Sequence, residues 1–266
     1  MKVEYVPLLG IARELQGMPR NYDRFQQYLR TIRTEDGNGL ELPTLIWMNP
    51  MGRDHVTALL DALLALDADG IAARAAAEAC EQLADEPGDF KIALVIADDL
   101  MGGWTNRFAS EFTVRFGPDH ARFLAPKEAN LPKGLKDYWL HAVLWSSEPA
   151  SEQAVTEAIL TTIYRTAYVQ RHGLARTLRD MLAQEGHVMA MAGCAGPVLD
   201  DEDIAYTRAV LVPFLDADDM RTAIECLFGD AAGRTLGFTP RGLSPWAGLA
   251  VALHDARLRQ GSELAV

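Results

Sequence analysis

Phe90-Lys91-Ile92-Ala93-Leu94-Val95-Ile96-Ala97-Asp98-Asp99-Leu100-Met101-Gly102-Gly103-Trp104-Thr105-Asn106-Arg107 is the stretch on which the fold turns. Its apolar run shows no polar alternation, which suits a strand covered on both faces, as in a parallel sheet. The run stops at two carboxylates and a Gly-Gly turn. In parallel α/β sheets ligands settle in the crevice outside the carboxyl ends of the strands. The sequence therefore places a candidate site at Asp98 and Asp99 before it says anything about a reaction.

Two further apolar segments read as partner strands. Leu42 to Met48 contains Leu45-Ile46-Trp47-Met48 and is stopped by Asn49-Pro50-Met51-Gly52, a cluster with turn chemistry. Tyr138 to Trp145 puts Trp139, His141, Val143 and Trp145 on one face. Before and after the first of these the spacing predicts helices over 21–33, 55–66 and 71–84, with Asn21 and Asp54 as caps. Residues 104–116 fit a helix through Trp104, Phe108, Phe112 and Phe116 at four-residue intervals, with strand-like alternation as the competing pattern. From Ser151 onward helical periodicity dominates: a long helix ended by Gly173, then 174–185, 202–212, 217–228 and 245–259. Asp200 and Asp216 lead acid-rich first turns, and Ser244-Pro245 precedes the last helix.

These elements predict a helix-rich α/β protein, with a small, mostly parallel sheet in an N-terminal half (1–148) packed with a helical C-terminal half (149–266). The two halves share a core and are compatible with one domain. At 266 residues and 49% apolar composition the chain carries enough material for a large core.

Composition also removes function classes. A net charge of −12 argues against nucleic-acid or anionic-membrane partners, which need a basic face. Only five lysines occur (Lys2, Lys91, Lys127, Lys133, Lys136), which speaks against Schiff-base chemistry on pyridoxal. Three separated cysteines (Cys80, Cys194, Cys226) form no disulfide framework and no thiolate metal set. With no signal-like or membrane-spanning segment, the expected compartment is the cytoplasm. The six histidines never fall into H-x-H or H-E-x-x-H, so no metal site is expected. Three Asp-rich strings near 67, 200 and 216 lack the later ligands of a calcium loop and read as helix starts. P-loop, dinucleotide-fingerprint and nucleophile-elbow patterns are all missing, and no cofactor is named.

If the three strands are parallel neighbours, three polar loops meet at one edge. The first is Asn49-Pro50-Met51-Gly52-Arg53, with His55 just inside the following helix, where free N–H groups favour an anion. The second holds Asp98, Asp99, Gly102, Gly103, Trp104, Asn106 and Arg107. The third is Ser146-Ser147-Glu148. The expected roles are Asp98 or Asp99 as acid/base or ligand, Gly102-Gly103 allowing close backbone approach, and Asn106, Arg107 and Arg53 holding a small polar, anionic metabolite. Because neighbouring strand residues point to opposite faces, both aspartates serve one side only if the strand has already ended. Lys127, Lys133 and Lys136 around Pro126 and Pro132 read as an exposed loop, and Cys194 as a small residue in a tight turn. The competing reading is a non-catalytic helical interaction protein, whose working surface would be the strip Glu157, Thr161, Tyr164, Tyr168 and Arg171. Self-association is left open.

Overall fold

The computed structural model describes residues 1–100, 106–117, 120 and 138–263. Its contacts divide the chain into two compact units: Met1–Asn106 with Ala125–Ile163, and Arg107–Leu124 with Tyr164–Val266. The fold is helix-rich α/β, with one small parallel sheet in the N-terminal part and helices filling the C-terminal part. Among the described residues no helix is long and apolar enough to cross a membrane.

The sheet-bearing unit holds β1 (Lys2–Tyr5), β2 (Asp89–Ala97) and β3 (Tyr138–Trp145) in the order β1-β2-β3, all parallel. The apolar run from Phe90 to Ala97 is thus in the central strand. Ile92 to Ala97 are buried without interruption, and each large side chain so removed from water contributes about 1.5 to 3 kcal/mol. The register pairs Phe90 with Tyr138 and Ala97 with Trp145, so the residues following Ala97 and Trp145 leave the sheet side by side.

The expected first strand is corrected. Leu42–Met48 is not extended: Pro43–Trp47 form a 3-10 turn closed by Leu45 N–H to Leu42 O (3.2 Å) and Met48 N–H to Leu45 O (3.0 Å). Pro43 presets φ at the first helical position, and burial follows a three-residue beat, with Leu45 and Met48 inside while Ile46 is 45% exposed. The strand that does flank β2 is β1, a four-residue piece with alternating exposure. The 3-10 turn packs against β2 and β3, so Asn49 still reaches the sheet's carboxyl edge.

Between β1 and β2 run α1 (Leu9–Gly17), α2 (Tyr22–Ile32), α3 (Asp54–Ala65) and α4 (Ala68–Gln82). Asn21 caps α2 through hydrogen bonds from Asp23 N–H and Arg24 N–H. Asp54 is not the cap of α3: Arg53 occupies that position without a capping side-chain bond, and Asp54 is the first helical residue. α1 packs on α2 and α3, and α4 on β1.

α5 (Arg107–Phe116) shows the described part of the 104–116 segment to be helical from Arg107 on. α6 (Glu152–His172) follows β3 and is ended by Gly173 at φ 83°. The helical unit continues with α7 (Leu178–Met191), α8 (Asp201–Leu211), α9 (Met220–Phe228), α10 (Asp230–Thr235) and α11 (Ala247–Glu263). Three starts differ from expectation, two because better caps lie nearby and one because of a local backbone conformation. Thr177 and Asp180 form a reciprocal capping box at α7, Asp219 rather than Asp216 caps α9, and Trp246 in a left-handed conformation delays α11. α11 packs on α7, α8 and α9. Two glycines make this closeness feasible: a Cβ at Gly186 would lie 2.4 Å from Ala252 O, and one at Gly248 2.3 Å from Cys226 O.

The helical unit also buries an alternating chain of charges. Glu185, fully buried, accepts Arg165 Nε at 2.7 Å and Arg165 Nη2 at 2.9 Å, and also pairs with Arg115. Arg115 Nε in turn donates to Glu111 Oε2 at 3.0 Å. Burial alone would raise the Glu185 carboxyl, but the charges of Arg165 and Arg115 outweigh it and bring it down to about 2. In the strip assigned to the competing reading, Tyr164 is buried, and Tyr168 lies against His172 and His187 with ring centroids 4.3 and 5.3 Å away.

Candidate functional site

At the carboxyl end of β2 the strand stops at Ala97, and both aspartates that follow turn toward β3's outgoing loop. The register dictates their partners: Ser146 N–H bonds to Ala97 O at 3.0 Å, which sets Ser146 and Ser147 beside Asp98 and Asp99. Ser146 Oγ lies 3.1 Å from Asp98 Oδ1 and 3.1 Å from Asp99 Oδ1, and it accepts Asp99 N–H at 3.1 Å. A hydroxyl carries one proton, so it donates to one of these carboxylates at a time. Asp99 is further held by Ser147 N–H at 3.0 Å and Ser147 Oγ at 2.7 Å.

Asp98 is the hub. It is 2% exposed, and three side chains from different elements converge on it. Asn49, from the loop after the 3-10 turn, donates through Nδ2 to Oδ2 at 3.1 Å, while its own Oδ1 accepts Met51 N–H at 2.9 Å. His55, from the first turn of α3, places Nε2 2.8 Å from Oδ1. Ser146 supplies the third contact. Burial alone would raise this carboxyl, but the hydrogen bonds from His55, Asn49 and Ser146, with the charge of His55, outweigh it and hold Asp98 below the ordinary carboxylate range. Asp98 is therefore an anion at neutral pH, and a carboxylate accepts but does not donate.

That state fixes the imidazole. With Asp98 ionised, the neutral His55 ring carries its proton on Nε2, and the lone pair sits on Nδ1. The side chain of His55 is 27% exposed, so the ring bridges a buried anion and the solvent. Ser146 touches the aspartates rather than the imidazole, so the order is His–Asp–Ser. A nucleophilic relay requires the imidazole between hydroxyl and carboxylate, and this cluster does not have that order. Among the described residues no three His, Cys, Asp or Glu side chains group as a metal-ligand set.

The sequence-derived site residues fall into three groups. Asn49, His55, Asp98 and Asp99 come together with Ser146 and Ser147. Arg53 is exposed at the N-terminal end of α3, two residues before His55, and Asn106 is exposed at the end of the sheet-bearing unit. Arg107 opens the helical unit, where it pairs with Glu111 at 3.6 Å and lies 5.3 Å from the centre of the Trp246 ring. Gly102, Gly103 and Trp104, like the lysine loop with Lys127, Lys133 and Lys136, lie outside the described residues. Of the other candidates, His141 packs beside Trp47 with ring centroids 5.8 Å apart, and Cys194 is buried in its turn.

Sequence reasoning missed the donors that hold the Asn49 loop, Gln16, Arg20 and Arg24, because polar residues on a helix or in a turn read as solvated. Buried Arg24, at 3% exposure, is the clearest of them. No family model matches this chain, and neither the curated proteins nor the solved structures include a match to it.

Proposed function

We propose that the carboxyl edge of the sheet is a small-molecule site, and that the protein is an enzyme or binder of a small polar, anionic metabolite. In it His55 serves as general base through Nδ1. The observation that carries this reading is the Asp98–His55 contact: a buried carboxylate within hydrogen-bonding distance of three side-chain donors, holding one ring nitrogen of a histidine whose side chain is partly exposed. Such a carboxylate orients the ring, selects its tautomer and stabilises the imidazolium formed when Nδ1 takes a proton. Asp98 acts through His55, and Asp99 with Ser146 and Ser147 closes the floor of the site. A preference for anionic substrates is supported by exposed Arg53 at the N-terminal end of α3, where the helix dipole favours negative charge. The burial of Tyr164 takes a central residue from the surface needed by the competing helical-interaction reading.

A thermal-shift screen against small carboxylated and phosphorylated metabolites tests the proposal. A true ligand raises the melting temperature of the wild type in proportion to the logarithm of its concentration. The same compound should lose its effect on His55→Ala and Asp98→Asn while keeping it on Arg30→Ala, a change on exposed α2 surface. A hit that survives both site variants would overturn the assignment.

A further inference from the structure

The segment between the 3-10 turn and α3 is buried yet has no regular structure: Met48, Asn49, Pro50 and Gly52 are all inside. Buried backbone carbonyls need donors; beside the turn bonds from Met48 N–H to Leu45 O and from Gly52 N–H to Asn49 O, side chains of α1, α2 and the loop between them supply donors here. Gln16, in the last turn of α1, donates Nε2 to Asn49 O at 2.8 Å. Arg20, just before α2, donates Nε to Met51 O at 2.9 Å. Arg24 donates Nη2 to Gly52 O at 3.2 Å and Nη1 to Gln16 O at 3.4 Å. One turn later on the same face of α2, Tyr28 donates its hydroxyl to Leu45 O at 3.3 Å. Four carbonyls of one eight-residue segment (45–52) are thus held by four side chains.

Arg24 is the unusual member. A buried guanidinium normally faces a carboxylate, because desolvating an unpaired charge is costly. The partners of Arg24 are two backbone carbonyls, and Arg20 adds a like charge, so that burial first and Arg20 second pull it below the usual arginine range. Compensation comes from position. Gln16 O belongs to the last turn of α1, where the helix dipole is negative and a cation is favoured. The planar fork of arginine spans the α1 terminus and the loop at once, a geometry that a lysine ammonium does not reproduce.

We infer that Gln16 and Arg24 are positioning residues for the proposed base: by clamping the 49–52 loop they set the Asn49 amide against Asp98 and deliver α3 with His55 at hydrogen-bonding distance. This rests on the general-base reading only for its functional meaning. The mechanical link from Arg24 to Asn49 is tested independently of any ligand.

The experiment is hydrogen exchange and long-range 1H–15N correlation NMR on the full chain. It compares wild type with Arg24→Met, which keeps the aliphatic stem, with Gln16→Met, and with Arg30→Met as a control on α2. The expected result is at least tenfold faster exchange of the Met51 backbone N–H and the Asn49 side-chain amide in both clamp variants, with weakening of the His55 Nε2–H cross peak. Exchange of β2 amides such as Leu94 stays as in wild type, and the control matches wild type everywhere. Exchange at Asn49 and Met51 within twofold of wild type in either folded clamp variant would overturn the clamp, as would equal acceleration across β2. If Arg24→Met does not fold, Gln16→Met alone decides by the same criteria. A wild-type His55 protonated on Nδ1 would sink the general-base reading while leaving the clamp intact, so the two failures are distinguishable.

Discussion

Replacing Asp98 by asparagine keeps size and shape but removes the charge that three donors address. A hydrogen bond to a charged group contributes about 1.5 to 3 kcal/mol against about 1 for a neutral one. The His55, Asn49 and Ser146 contacts therefore each lose part of their strength. The new amide must also place its NH2 against a donor. Turned toward Asn49 it meets Nδ2, which cannot rotate away without surrendering the Asn49 Oδ1 bond to Met51 N–H. Turned toward His55 it forces the ring to accept. Set against the relief of no longer burying a charge, the expected loss is about 3 kcal/mol at pH 7. The sign with pH is definite. A folded-state carboxyl depressed below its unfolded value, about 3.9, contributes stability that is complete above that value and is lost as pH falls through the folded one. Urea unfolding of Asp98→Asn and wild type from pH 7 to pH 3 should therefore show a gap that is constant near neutrality and narrows below about pH 4. A gap under about 0.5 kcal/mol at pH 7, less than one neutral hydrogen bond, would refute the reasoning, and so would a gap that widens in acid.

In the helical unit, Glu185→Gln strands Arg165 without a buried counter-charge, while Arg115 keeps Glu111, and should cost about 3 to 5 kcal/mol in denaturant melts. Because Glu185 is held down to about 2, its contribution persists in the wild type until pH falls below about 4 and fades toward the folded value. Gly186→Ala drives a methyl toward Ala252 O and should lower stability by about 2 kcal/mol, whereas Gly10→Ala, with open space around it, should not. Burial pushes the Cys226 thiol up to about 12, so iodoacetamide on the native protein at pH 8 should alkylate half-buried Cys80 well before Cys226, read by mass spectrometry of the peptides.

How much of this was legible depended on whether a signal was local. β2 stood out because an apolar run of this length followed by two aspartates has few other readings, and the meeting of Asp98 with Ser146 follows from parallel register once β3 is recognised. Leu42–Met48 misled because four apolar residues suit a strand or a 3-10 turn equally, and Pro43 was the discriminating residue. β1 was invisible at four residues with alternating exposure. Asn49 and His55 meet Asp98 at the sheet's carboxyl edge regardless, since they follow a 3-10 turn packed on the sheet rather than a strand. Arg24 illustrates what sequence conceals. Its i, i+4 spacing to Tyr28 and Ile32 sets it on the buried face of α2, unlike exposed Arg30, but only the fold shows a guanidinium there bonded to Gly52 O.

The proposed function rests on Asp98 control of the His55 tautomer, which leaves Nδ1 as a free base. It is tested most directly by long-range 1H–15N correlation of the imidazoles, with His55 assigned by its loss in His55→Ala, at a pH where the ring is neutral. The wild type should show the proton on Nε2 and a bare Nδ1, and Asp98→Asn should shift the population toward Nδ1–H. A wild-type ring protonated on Nδ1, or a tautomer unchanged when the carboxylate is removed, would contradict the account.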